Sequence, residues 1–207
     1  FFKNKKAENK IPYKRIVRTN YRKFVLLLIV STIPTGIMGI LGKNLITEAS
    51  ETLLIPGICL LITGVLLLIS DRAKNCRKIP RDISYKQGLL VGIAQGFATL
   101  PGLSRSGTTI TACLLCGFDR KFAVKYSFIL SIPAILGAAV LEIKDVGQEV
   151  ITGGMVGTYA AGMIAAALVG YICIKTMLVV VRNKKFKYFA FYCFAIGIIS
   201  IVGHFVL

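Results

Sequence analysis

Residues 88–117 form an apolar stretch that is too long for one membrane crossing and is broken at its centre by Pro101-Gly102. As one straight helix it would reach about 45 Å, against a hydrocarbon core of about 30 Å. Proline cannot donate the next helical hydrogen bond and glycine permits a sharp turn, so the stretch is predicted to fold back on itself. Flanking charge decides between a hairpin and a kinked span. Lys86 precedes the stretch and Asp119-Arg120-Lys121 follows it, so both ends are expected on the cytoplasmic side. A single tilted span would put the second basic connection outside. The economical arrangement is a re-entrant hairpin, with half-helices at about 88–99 and 107–116. Backbone that turns at such a depth must be buried in protein or line a wet cavity.

The remaining chain sets the environment. Hydrophobic residues make up 55% of 207 residues, and mean hydropathy is +0.72. Apolar runs long enough to cross a bilayer are read at 24–41, 53–70, 122–141, 154–177 and 188–206. Without alternating barrel-strand periodicity, the expected fold class is an all-α integral membrane protein. It is read as one membrane domain over 1–207: a cytoplasmic basic segment at 1–23, two spans within 24–70, the re-entrant hairpin at 88–117 and three spans within 122–207. One hairpin followed by three spans has an odd number of crossings. Tandem copies of such a unit would be inverted, so this chain is expected to carry the second half of an inverted-repeat architecture. A chain beginning Phe1-Phe2-Lys3, without a signal-peptide pattern, is expected to start part-way through a longer protein.

Net charge of +17 would suggest nucleic acid in a soluble protein. Here the basic residues lie between apolar runs, nine of them in 1–23 and six in 71–87. That is the positive-inside pattern, and no nucleic-acid partner is expected. Cys113 and Cys116 have CxxC spacing, but they lie on an apolar helix without nearby histidine or acidic residues. They are read as inert buried thiols. Pro34 and Pro133 sit inside spans and read as kinks. His204, near the end of the last span, is given no role.

The chemistry is concentrated at the hairpin tip, Leu100-Pro101-Gly102-Leu103-Ser104-Arg105-Ser106-Gly107-Thr108-Thr109. A guanidinium at bilayer depth costs roughly 3 kcal/mol on the translocon scale and is seldom retained without a task. Its planar fork of donors suits phosphate oxygens. The returning half-helix starts here, so its first N–H groups and dipole favour an anion. Ser104 or Ser106 is expected to be the N-cap. Ser106, Gly107 and Thr108 are candidate diphosphate contacts. Gln95 in the descending half-helix is another, although an interhelical structural bond suits a buried amide equally well. The acidic residues all fall in loops or at span ends. The membrane-embedded part therefore offers a phosphate grip without a visible base, and no metal ligands. Ser104 would act as a nucleophile only with an activating partner.

Residues Gly92–Ile110 resemble a signature of the undecaprenyl-diphosphate phosphatase family of bacterial membranes, the family named for bacitracin resistance. The likeness lies in PGxSRSGxT with its upstream glutamine. It continues through Tyr126–Pro133 and Phe186–Tyr192, and extends over nearly the whole chain. The resemblance implies a multi-pass enzyme of the bacterial cell membrane that hydrolyses undecaprenyl diphosphate to undecaprenyl phosphate and phosphate. This would recycle the lipid carrier for peptidoglycan synthesis and confer bacitracin resistance. Arg105 would bind the diphosphate as a catalytic residue, with Ser104 and Thr109 assisting. It also implies a divalent cation, Mg or Ca, whose ligands are not in this chain. The family's first signature, with its glutamate pair, is absent from the sequence, and a third reading is that the 207-residue chain by itself is inactive. The partners implied are a polyprenyl diphosphate lipid and the bilayer; a homodimer stays open. The alternative from a different class is a transporter or flippase for a lipid phosphate or another anion.

Overall fold

A computed structural model describes residues 21–73, 76–146, 153–182 and 186–206. Most of the basic segment expected at 1–23 lies outside the described residues, as do 147–152 and 183–185 within two of the connections. The described chain is helical: α1 (Tyr21–Leu41), α2 (Lys43–Ser50), α3 (Leu54–Arg72), α4 (Tyr85–Phe97), α5 (Arg105–Leu115), α6 (Arg120–Val146), α7 (Gly153–Arg182) and α8 (Phe186–Val206), with one short 3-10 turn at Pro80–Asp82. Five of these helices (α1, α3, α6, α7 and α8) are long and apolar enough to cross a membrane. The protein is an all-α integral membrane protein. Helix α2 lies in the connection between the two spans read within 24–70.

Membrane helices associate through close packing and interhelical hydrogen bonds, because lipid is as apolar as they are. Two helix pairs show this. On α4, Gly88, Gly92 and Gly96 recur every four residues and face α1. A Cβ on Gly92 would stand 2.1 Å from the Ser31 carbonyl oxygen, and one on Gly96 would stand 2.4 Å from Met38 Sδ. The close approach lets Ser31 donate to the Gly88 carbonyl at 2.6 Å and Thr35 to the Gly92 carbonyl at 2.9 Å. Helices α3 and α8 pair similarly. Gly57 meets Gly197 and Ile201, and Gly64 lies under the Phe194 ring.

The other contacts assemble around α5, which packs on α3, α4 and α6. At one end of the bundle, Phe24, Phe118, Phe122 and Tyr126 pack ring against ring. The Tyr126 hydroxyl donates to the Leu27 carbonyl at 2.8 Å and lies 2.6 Å from the Ser31 hydroxyl, which ties α6 to α1. Helix α7 packs against α6, and Gly157–Thr176 has no buried residue.

Helices α4 and α5 pack against each other. Ser84 caps α4 by accepting from the Gln87 N–H at 3.3 Å, while Gln87 Oε1 accepts from the Ser84 N–H. The same Gln87 donates through Nε2 to the carbonyl of Cys116, just past the end of α5, at 3.1 Å. The start of α4 and the end of α5 are thus joined. That end lies beside the C-terminus of α3, where Arg120, which opens α6, donates to the carbonyls of Ser70 and Ala73 at 3.2 and 3.0 Å.

Candidate active site

Residues 98–104 join α4 to α5, and α3 fixes their path. Gly102 has φ +84, and a Cβ there would stand 2.3 Å from the Pro56 carbonyl oxygen. Only glycine meets both conditions. Deeper along α3, Thr63 accepts from the Ser104 N–H at 3.1 Å, and its proton faces the carbonyls of Cys59 and Gly102 at 3.0 and 3.2 Å. Thr63 is central in α3, so Ser104 lies level with the middle of a membrane-length helix.

Ser104 is the N-cap of α5. Its backbone is extended, at φ −61 and ψ 111. Its Oγ accepts from the Gly107 N–H at 3.2 Å, and its carbonyl accepts from the Thr108 N–H at 2.8 Å. Ser106 lies inside the helix. Of the four donors that open the helix without an intrahelical partner, the Ser104 N–H goes to Thr63 and the Gly107 N–H to the cap, leaving the N–H groups of Arg105 and Ser106 for an outside acceptor.

Arg105 is half-buried at this position, and among the described residues its guanidinium has no hydrogen-bond or ion-pair partner. Its backbone, in contrast, is held firmly. Thr109 donates to the Arg105 carbonyl at 2.8 Å, and its hydroxyl also shares a short hydrogen bond with that of Ser127 on α6. Thr109 and Ser127 are both buried. The role this gives Thr109 is to fix the first turn of α5 against α6. Gly107 is close-packed, since a Cβ would lie 3.0 Å from Ser104 Oγ and 3.4 Å from Leu67. Thr108 is 7% exposed, and its hydroxyl has no partner among the described residues. Gln95 is buried and donates through Nε2 to the Leu130 carbonyl of α6 at 3.4 Å, while its Oε1 has no partner among the described residues.

The loop therefore brings together Ser104, Arg105, Ser106, Gly107 and Thr108, and ties Thr109 and Gln95 to α6 around them. Sequence reasoning missed Thr63, Pro56 and Ser127. A lone threonine in an apolar run does suggest an interhelical bond. Its partners, about 40 residues away, cannot be read from it. We expect Thr63→Val to leave the Ser104 N–H unpaired and to cost about 1–3 kcal/mol. The check is the midpoint of thermal unfolding in detergent, where Thr63→Ser should recover most of the loss. An unchanged midpoint for Thr63→Val would show that the bond does not hold the loop.

A guanidinium, two free backbone N–H groups and hydroxyls are partners for an oxyanion. They are poor ligands for a divalent cation, which takes carboxylates and carbonyls. Among the described residues no three His, Cys, Asp or Glu side chains are grouped to hold a metal. Asp71 and Asp119 belong to the end of the bundle where Gln87 meets Cys116, and Glu48 and Glu51 to α2 and the residue after it. The Cys116 thiol, at the end of α5, is pushed above its ordinary range by burial, with Lys78 opposing. This fits an inert thiol.

Residues 1–199 match the family described as bacitracin resistance protein BacA. A relative from Methanosphaera stadtmanae named undecaprenyl-diphosphatase is 41% identical over 189 residues, covering 91% of this chain and 67% of that protein. One from Halothermothrix orenii with the same name is 43% identical, covering 87% and 70%. A shorter one from Methanothermobacter thermautotrophicus, also so named, is 41% identical over 86% of this chain and 98% of its own length. With the match reaching into every described helix, the chain belongs to the bacitracin resistance protein BacA family.

Proposed function

We propose that this protein removes the terminal phosphate of undecaprenyl diphosphate, and that the loop between α4 and α5 grips the diphosphate. Water adds to the terminal phosphorus and the bridging P–O bond breaks. The products are undecaprenyl phosphate, returned as a lipid carrier, and inorganic phosphate. The relatives' shared name supplies the reaction. The observation that supports the loop's role is the half-buried Arg105, without a side-chain partner among the described residues, beside two N–H groups of a capped helix start that are free among them.

In this reading Arg105 and the N–H groups of Arg105 and Ser106 bind phosphate oxygens and offset the charge that collects on them as the P–O bond breaks. Ser104 shapes the site as the cap, and Thr109 positions Arg105 through α6. Thr108, with a free buried hydroxyl, is the next candidate donor. Gln95 braces α4 against α6. The base that activates water, and any ligands for a divalent cation, are assigned to no residue at this loop. The partner at the site is a lipid, and neither nucleic acid nor a second copy of the chain is needed to account for it.

The test is phosphate release from undecaprenyl diphosphate by the purified full-length protein in lipid nanodiscs. Stoichiometric release of phosphate and undecaprenyl phosphate is expected. Movement of intact lipid diphosphate across the bilayer without release would overturn the reading and favour a transporter.

A further inference from the structure

We propose that Ser127 of α6 is a positioning residue for the diphosphate grip, acting through Thr109 on the peptide unit between Arg105 and Ser106. This rests on the reading of the loop as a diphosphate grip, and goes beyond it by assigning a residue outside the loop that sets how well one of its donors works. Ser127 is 3% exposed. Among the described residues its hydroxyl meets that of Thr109 and no carbonyl of its own helix, where a helical serine ordinarily turns.

Counting protons gives the direction of this bond. Thr109 has one hydroxyl proton, and two carbonyl oxygens lie within its reach, that of Arg105 at 2.8 Å and that of Ser106 at 3.3 Å. Carbonyls only accept, so the Thr109 proton is committed to them, chiefly to Arg105. The bond between the two hydroxyls is then donated by Ser127. Donation therefore runs one way, from Ser127 to Thr109 to the Arg105 carbonyl. That carbonyl shares a peptide unit with the Ser106 N–H, one of the two N–H groups at the start of α5 that are free among the described residues. Drawing electron density onto the carbonyl oxygen leaves the N–H more positive, and each bond in such a chain strengthens the next. The same two bonds fix the tilt of the peptide, and with it the direction in which the N–H points. Ser127 is itself held in place. Its neighbour Tyr126 donates to the Leu27 carbonyl of α1 at 2.8 Å and lies 2.6 Å from the Ser31 hydroxyl. An oxygen bound to the Ser106 N–H gains negative charge as the bridging P–O bond breaks, so the contribution of Ser127 falls on kcat more than on KM.

Removing one donor from an oxyanion site lowers kcat by about 10²–10³, and cooperative strengthening is about 10–30% per bond. Ser127→Ala is therefore expected to lower kcat roughly twofold to eightfold, with a smaller change in KM. The experiment uses the full-length protein in nanodiscs, with carbon-13 in the arginine carbonyls and nitrogen-15 in the serine amides. Arg105-Ser106 is the one Arg–Ser pair in these 207 residues, and its resonance is assigned by its loss in Arg105→Lys. In Ser127→Ala the Arg105 carbonyl and the Ser106 amide proton should both move upfield, as the chain of donors is cut. Ser127→Cys, similar in size and a weaker donor, should fall between Ala and Ser in both shift and kcat. An unmoved resonance in a folded Ser127→Ala protein, or a loss carried by KM alone, would overturn the proposal. So would a Cys variant whose shift and kcat match those of Ala. Phosphate release is measured on the same preparations. Shifted resonances in a protein that releases no phosphate would sink the hydrolase reading and leave the hold of Ser127 on the Ser106 N–H standing. Release at an undiminished rate with unmoved resonances in Ser127→Ala would do the reverse.

Discussion

Arg105→Ala is expected to lower kcat/KM for undecaprenyl diphosphate by about a thousandfold. A charge-assisted hydrogen bond contributes about 1.5–3 kcal/mol, so two from one guanidinium fork amount to roughly 3–6 kcal/mol. Each 1.4 kcal/mol is a factor of ten, which places the loss at roughly 10²–10⁴. The low dielectric at the middle of α3 argues against the lower end. The same substitution should hardly affect folding, because the Arg105 side chain has no partner among the described residues and its backbone is held by Thr109. An unchanged unfolding midpoint alongside collapsed phosphate release separates a grip from a structural prop. Arg105→Lys keeps the charge and loses the planar fork, and should fall between, roughly tenfold to a hundredfold down. Normal turnover by a folded Arg105→Ala protein would remove Arg105 from the site.

Substituting Gly102 should have the largest effect on stability. A β-carbon at φ +84 costs about 1–2 kcal/mol in backbone strain, and forced overpacking adds typically about 1–3 kcal/mol. The contact lies at the severe end, because the obstructing atoms, 2.3–2.9 Å away, are the Pro56 backbone and no rotamer change can relieve them. Gly102→Ala is therefore expected to lower stability by roughly 2–5 kcal/mol or to prevent insertion of a folded protein. Gly117 supplies the comparison. It has φ +85, but a Cβ there would only touch the flexible end of Lys78 at 3.4 Å. Asparagine, which tolerates the left-handed region, should be accepted at 117 and rejected at 102. Thermal unfolding of the two asparagine variants in detergent reads this difference directly. Equal tolerance would mean that the loop can lift away from α3.

The helices were legible because bilayer length and hydropathy are properties of short windows. The run read at 24–41 compares with Tyr21–Leu41, and that at 53–70 with Leu54–Arg72. The chain break was legible for a similar reason, since Pro101-Gly102 acts on its own backbone, and the structure leaves 98–104 outside any helix. Capping chemistry gave Ser104 or Ser106, and the extended backbone of Ser104 decides for the first. What could not be read depends on distant partners. Thr63 meets Ser104 across 41 residues, Thr109 meets Ser127 across 18, and Gln95 meets Leu130 across 35. The glycine row on α4 was visible as spacing at 88, 92 and 96, but its partner helix and the hydroxyls of Ser31 and Thr35 that exploit it appear only in the fold. Helix α2, short and mostly polar, gave no apolar window.

Thr63 stands nine residues along α3 from Leu54, so the loop it anchors lies about 14 Å below that end of the helix at 1.5 Å per residue. A phosphate bound there has left the headgroup layer altogether. Lipids differ in whether they can make that descent. A lipid with one flexible chain can let its head sink while its tail slips aside, whereas two acyl chains tied to one glycerol must be dragged down together. If the loop is the diphosphate grip proposed above, depth itself then disfavours two-chain phospholipids before any contact with Arg105 tests their chemistry.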